Sequence, residues 1–315
     1  NGHNVLTMSD RDITYYNKSI IDPQGIKKFN QKVLNTYINF KPDIIILGHA
    51  DTLLKETILT MKRIQEVKIC QWFLDPLIKS GPDFLKNKKR IQNLVECIDN
   101  TFLTTDPNAL NFNLKNSFFI PNPSDISFEY LNNSNTKRKY DLFFAMSHGV
   151  HRGKLKKGKF DDREKILSEI EKKINNLDFD FFGYKQKQPL WADNFLETIS
   201  DYDMGLNLSR GKPIKYYSSD RIVQIIGNGL LCFINKKTGI NKLIPDNCAV
   251  YYKNTNDLVN KIHYYKENLN QMKSIAKRGM NFYNKNFNST IVSQFILDRT
   301  LKLKNKYNYL WYKKK

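Results

Sequence analysis

The chain is poor in the residues that build metal centres and disulfide frameworks. Cys70, Cys97, Cys232 and Cys248 show no CxxC spacing, and the five histidines form no HExxH or His-rich tract. This argues against a structural zinc site or a bridged secreted scaffold and predicts buried free thiols in a reducing compartment. Long apolar runs are missing too. The longest, such as Asp43 to Leu47, are strand-sized, far from the ~18 residues of a membrane span. No initiator Met, signal-peptide core or opening βα turn precedes the apolar run Asn4 to Met8. That run reads as a second strand, so a first βα unit of about 25–40 residues is expected to be missing ahead of it.

Acidic residues are scarce: 51 Lys and Arg stand against 31 Asp and Glu, a net charge of +20 in 315 residues. Such a balance suits nucleic acid, anionic membrane or phosphorylated ligands. It equally suits the Lys-, Asn-, Ile- and Tyr-rich composition of A/T-rich codons. The lysines are scattered, and their densest cluster, Arg152 to Lys159, lacks the interleaved aromatic side chains of a nucleic-acid platform. A nucleic-acid-binding protein stays as the more distant alternative.

With 40% hydrophobic and 13% aromatic residues, the chain can bury two cores. Residues Ile26, Phe29, Val33 and Tyr37 recur at helical spacing within 25–40. Strands are predicted at 4–8, 43–47, 67–73, 100–104 and 117–120, with helices at 53–65 and 83–98 between them. A polar stretch after Pro121 and Pro123 reads as a linker. The second set has strands at 140–146, 178–182, 204–208, 230–234 and 249–252. Its helices are 162–175, 192–199, 221–227, 257–265, 269–283 and 289 to about 307. Strand–helix alternation with short links predicts an α/β chain of two Rossmann-like units with parallel sheets. The boundaries are 1–131, a linker 132–139, 140–288, and a last helix and basic tail at 289–315. Ligands belong at the carboxyl ends of the strands.

Those ends carry the polar chemistry. Asn207, Ser209 and Arg210 close one strand, and the following helix opens with Arg221. A helix start with an arginine favours a diphosphate. Gln224, one turn on, shares the face of Arg221 and is placed to hydrogen-bond a ribose. An ordinary surface helix would also read this way.

The order of these residues resembles the glycosyltransferase group 1 family, and most closely its CgeB-like spore-maturation branch. The resemblance lies in Leu206 to Arg210, Arg221 to Gln224 and Gly227 to Leu231. It continues in 256–259 and 275–279, and upstream in Lys41 to His49, Gln71 to Asp75, Phe102 to Asp106, Tyr140 to Phe144 and Arg163. It spans nearly the whole chain through individually loose motifs. It implies a GT-B arrangement, two units facing across a cleft, with the nucleotide-sugar (UDP-, GDP- or dTDP-linked) on the second and the acceptor on the first. The last helix crosses back to the first unit. No metal or other cofactor is implied, and Asp201-Tyr-Asp203 reads as a turn rather than a metal-binding DxD.

Two departures stand out. Gln224 replaces the family's ribose-binding Glu, and the basic segment 147–159 is long, offering His148, His151, Arg152 and Lys154 to a diphosphate or an acidic acceptor. The same segment would serve as a solvated loop. Contacts that select the base fall near Gly183 to Pro189. Asp75, then His49 and Asp51, are the candidate bases at strand ends of the first unit. Asp51 would alternatively cap a helix and Asp75 shape a turn. The implied activity is transfer of a hexose-type unit to a glycan, lipid-linked saccharide or protein in the cytoplasm. The tail, with Trp311 and Tyr312, suits contact with an anionic membrane face. A catalytically idle nucleotide- or sugar-binding protein is the nearer alternative.

Overall fold

The computed structural model describes residues 2–79, 83–146, 150–151, 154–155, 162–185, 187–209 and 211–312, with 150–151 and 154–155 described by backbone alone. Its first unit runs α1 (Asp10–Tyr16), α2 (Ile26–Phe40), β1 (Ile44–Leu47), α3 (Lys55–Ile64), β2 (Lys68–Phe73), α4 (Phe84–Leu94), β3 (Asn100–Leu103) and β4 (Ser117–Phe119). The four strands form one parallel sheet in the order β1-β2-β3-β4. Each crossover places the next loop at the same carboxyl edge, which assembles the candidate residues.

The second unit runs β5 (Tyr140–Ala145), a short antiparallel pair β6 (Val150–His151) and β7 (Lys154–Leu155), α5 (Asp162–Lys173), β8 (Phe179–Phe182), α6 (Asp193–Ile199), β9 (Tyr202–Asn207), α7 (Asp220–Gly227), β10 (Leu231–Asn235), β11 (Val250–Tyr252), α8 (Thr255–Glu267), α9 (Leu269–Asn286) and α10 (Ser289–Thr300). Its parallel sheet has the order β11-β10-β9-β5-β8. Strand order therefore reverses between β5 and β9, and a crevice opens outside the carboxyl ends of that pair. Apolar side chains bury both faces. Leu142, Phe144, Met204 and Phe233 face α5, α8 and α9 on one side, while Phe143, Cys232 and Ile234 face α7 on the other. Such continuous apolar strands are what a sheet covered twice requires.

Three expectations are corrected. Residues 4–8 form no strand, because the segment meets no ladder partner and Val5 is 78% exposed. The helix α1 just after it went unrecognised; Ser9 caps it by accepting from Asp12 N at 3.2 Å. The last helix stops at Thr300 rather than near Tyr307. Buried Asp298 pulls the chain back there, accepting from Lys306 N at 2.9 Å and Tyr309 Oη at 2.5 Å.

α10 and the chain after it lie on the first unit's sheet. Phe295, Tyr309 and Val292 share a core with Cys70, Phe102 and Ile120. Trp311 packs on Phe287 and Phe295, and Tyr312 on Phe118 and Phe295. Both aromatic side chains are half-buried there. All four cysteines are buried and free, and burial pushes the Cys70 thiol up to about 12. Within the stretch read as a linker, Asn133 Nδ2 donates to the carbonyls of Ile199 and Tyr202 at 2.9 and 2.8 Å. That segment is pinned to the second unit.

Candidate active site

Parallel pairing of Leu47 with Gln71 sets the loop after β1 beside the loop after β2. His49, Asp51 and Asp75 consequently meet, as the sequence placed them. His49 Nε2 stands 3.7 Å from Asp75 Oδ2. A residue the sequence reading missed organises the group. Arg90 of α4 grips Asp51 with both arms, Nε to Oδ1 at 2.5 Å and Nη2 to Oδ2 at 2.6 Å, and holds Nη1 4.0 Å from Asp75 Oδ2. Asp51 is thus tied as a bidentate partner and does not cap α3, whose N-cap is Leu54. Asp75 remains open to the cleft.

Burial first, and then Arg90, hold the His49 pKa below its ordinary value, against an opposing pull from Asp75 and Asp51. Its neighbour Ala50 sits at φ 44°, a left-handed conformation that costs a non-glycine residue about 1–3 kcal/mol. Backbone strain of this kind recurs where a loop is held for a purpose.

On the second unit, Arg221 is the second residue of α7 and reaches over the carboxyl edge of the sheet. Its guanidinium carbon lies 6.0 Å from the Phe144 ring centre, and Nε is buried without a hydrogen-bond partner. Burial chiefly lowers its pKa; Arg163, from the start of α5, lowers it further, while Asp220 opposes. Arg163, buried at the start of α5, is therefore near enough for its charge to act on Arg221.

The start of α7 already carries one acidic partner. Ser219 donates Oγ to Asn207 Oδ1 at 2.8 Å, so no Ser219 cap covers the helix, and in its first turn Asp220 accepts from Arg221 N at 2.9 Å. Gln224 is half-buried on the face of Arg221, and Ser209 is half-buried at the strand end. Arg152, His148 and Arg210 lie outside the described residues, as do the side chains of His151 and Lys154.

Gly183 has a more mechanical part. It sits at φ 73° after β8, and any Cβ there would overlap the carbonyl oxygen of Met146. A glycine lets the ends of β5 and β8 close on one another. Gly183→Ala is expected to lose about 2 kcal/mol of stability in a urea melt, from strain and clash together.

The two halves are stitched together at the site. Thr105 and Tyr217 form an antiparallel bridge between units, flanked by Ser218 N to Thr104 O at 2.8 Å and Asp106 N to Tyr216 O at 3.2 Å. Tyr216 adopts φ 49° to make the turn. The Tyr217 phenol, its pKa raised by burial, has Asp220, Arg221 and Asp75 as its charged neighbours. It links the acidic group of the first unit to the arginine of the second, and sequence spacing gave no sign of it.

No grouping of three or more His, Cys, Asp or Glu side chains suited to a metal ion occurs among the described residues. Asp203 is not in a turn; it lies inside β9, buried and ion-paired with Lys273.

A family model described as glycosyl transferase-like matches residues 163–298, from the start of α5 into α10. No curated sequence is similar enough to count as a relative. Solved structures match over most of the chain. HepE of Anabaena in complex with UDP-glucose is 12% identical, covering 91% of this chain and 85% of its own, with a TM-score of 0.59. Sucrose-phosphate synthase of Thermosynechococcus elongatus is 11% identical, covering 88% and 78%, with a TM-score of 0.55. An α-glucosyltransferase in complex with UDP and DNA is 13% identical, covering 88% and 84%, with a TM-score of 0.57. The fold is that of the GT-B glycosyltransferases.

Proposed function

We propose that the chain is a glycosyltransferase that moves a hexose-type unit from a nucleotide-sugar to an acceptor hydroxyl, on a glycan, lipid-linked saccharide or protein. One observation carries this reading: a half-buried Arg221 at the start of α7, its Nε buried and without a hydrogen-bond partner, shares the neighbour Tyr217 with Asp75 of the Asp75–His49 pair. The glycosyl transferase-like match over the second unit supports it, as do neighbours solved with UDP or UDP-glucose.

In the proposed reaction the donor's diphosphate lies on Arg221 and the first turn of α7, and Gln224 hydrogen-bonds the ribose. The Asp75–His49 pair takes the proton of the acceptor hydroxyl as its oxygen bonds to the sugar's C1. The bond from C1 to the diphosphate breaks, and the departing negative charge falls on the guanidinium and helix start, which are oriented for it beforehand. These cationic groups serve the role that a metal ion fills elsewhere. No helix among the described residues is long and apolar enough to cross a membrane.

A thermal-shift screen against UDP-, GDP- and dTDP-sugars tests the proposal. A ligand at ~100 times its dissociation constant adds roughly 2.7 kcal/mol of stability. Absence of any shift across the panel would overturn it. Gln224, uncharged where the resembling family carries Glu, favours one second reading, a nucleotide-sugar binder that does not turn over. Release of nucleoside diphosphate when an acceptor is supplied separates the two.

A further inference from the structure

The connection between the two units displays an apolar ridge to solvent. Ile126, Phe128 and Tyr130 alternate along the turn 125–130 and are 87%, 64% and 58% exposed. The residues between them hold the turn in shape. Asp125 Oδ1 accepts from Ser127 N at 3.0 Å and from Ser127 Oγ at 2.7 Å, and Glu129 Oε2 accepts from Asp125 N at 2.8 Å. The Asp125 carbonyl takes the N–H groups of Phe128 and Glu129, and Leu131 N donates to Asn228 Oδ1 at 3.1 Å. Ser124, just before the turn, is fixed to the start of α10 by donating to Phe287 O and accepting from Ser289 N. The ridge is therefore a built display, with most of its backbone donors already engaged.

That engagement decides what kind of partner suits it. A peptide that docks by backbone pairing finds few donors left here, whereas an acyl layer demands that backbone groups be satisfied before they enter it. Large apolar side chains standing out from a tight turn also suit a fluid medium that closes around them. The charges nearby point the same way. Lys137 and Lys139 follow on the same connection and are exposed. From α9, Lys273 Nζ donates to Asn133 O at 2.6 Å, and exposed Lys277 lies one turn further on the same helix face. The acidic groups are mostly spent: Asp203 is paired with Lys273, burial raises the Glu129 pKa, and Asp201 stays near Lys139. An anionic surface complements what is left over.

We infer that the turn 125–130 is a membrane-docking element. Ile126, Phe128 and Tyr130 enter the interface of an anionic lipid bilayer, and Lys137, Lys139 and Lys277 meet its headgroups. The membrane contact expected of the basic tail falls instead on the connection between units. This inference stands apart from the transferase reading, since none of these side chains belongs to the cleft.

Flotation of the full chain with vesicles of phosphatidylcholine, alone and with about 30% phosphatidylglycerol, tests it. Binding is expected to be about ten-fold or more tighter on the anionic vesicles and to weaken as salt rises. Ile126→Ser and Phe128→Ser made together should lower it by about ten-fold or more, with the urea midpoint unchanged because both side chains are exposed. Phe128→Trp gives a local readout: brominated lipid should quench its emission beyond any change seen in the wild type. The inference is overturned by equal binding to the two kinds of vesicle, by absence of binding to either, by undiminished binding of the double variant, or by a residue 128 that the bromines do not reach. Nucleotide-sugar thermal shifts of the double variant should match the wild type, so that failure on vesicles leaves the transferase reading standing.

Discussion

Arg221→Leu is expected to lower kcat/KM by about two to three orders of magnitude and to leave the protein as stable as before, or more stable by about 1 kcal/mol. The two effects have one cause. The side chain is half-buried beside Phe144, with Nε buried and unpartnered and a second arginine, Arg163, close enough to lower its pKa. In the absence of an anion this arrangement costs stability, and a shorter, uncharged leucine removes the cost. With a nucleotide diphosphate in place the same groups acquire partners and the cost turns into binding. A side chain held only for structure would give the opposite result, a fall in melting temperature with activity following it. Parallel urea melts and steady-state kinetics decide between the two, and Arg221→Lys, which keeps the charge and loses the fork of donors, should recover only part of the rate.

Asp75→Asn is expected to lower kcat by about 10²- to 10⁴-fold with the donor KM unchanged, because the amide cannot take a proton and only the acceptor side is touched. Full activity in this variant would remove Asp75 from the mechanism. The pH profile adds a signed check. His49 titrates below its ordinary value because burial and Arg90 oppose its charge, so the acid limb of the wild-type profile should fall below about pH 6.5. Asp75 pulls that value up, so the residual activity of Asp75→Asn should show the limb at still lower pH. Arg90→Gln should move it the other way. Stability follows the same sign. His49 binds its proton more readily unfolded than folded, so its contribution is whole above the unfolded value and is lost as pH falls through the depressed folded one.

Much of the architecture was legible because it depends on local pattern. The apolar stretch at 204–208 reads as a strand, and β9 is buried along its whole length. The β-branched run at 43–47 is also a strand, but it lies at the edge of its sheet with Ile46 45% exposed instead of being buried on both faces. What could not be read depended on residues distant in sequence. Nothing near Asn4 to Met8 says whether a partner strand lies beside it. Nothing in Asp298 says that Tyr309 will return to it and end the helix at Thr300. The same division holds at the site. His49, Asp75 and Arg221 stand at strand or helix ends, where sequence rhythm alone locates them. Arg90 lies in the basic run Lys86 to Arg90, which reads as a solvated face until Asp51 is brought to it. Tyr217 gains its place from backbone pairing with Thr105, contacts between halves more than a hundred residues apart.

The aromatic rings late in the sequence have a consequence for how the molecule can be made. A wall of the amino-terminal core consists of Phe295, Tyr309, Trp311 and Tyr312, rings translated long after the strands they cover. A ribosome releasing the first half therefore releases a sheet with one oily side bare, and it stays so until those rings emerge. Replacing them by alanine would strip that lining, and the damage would appear in the sheet built by the early part of the polypeptide.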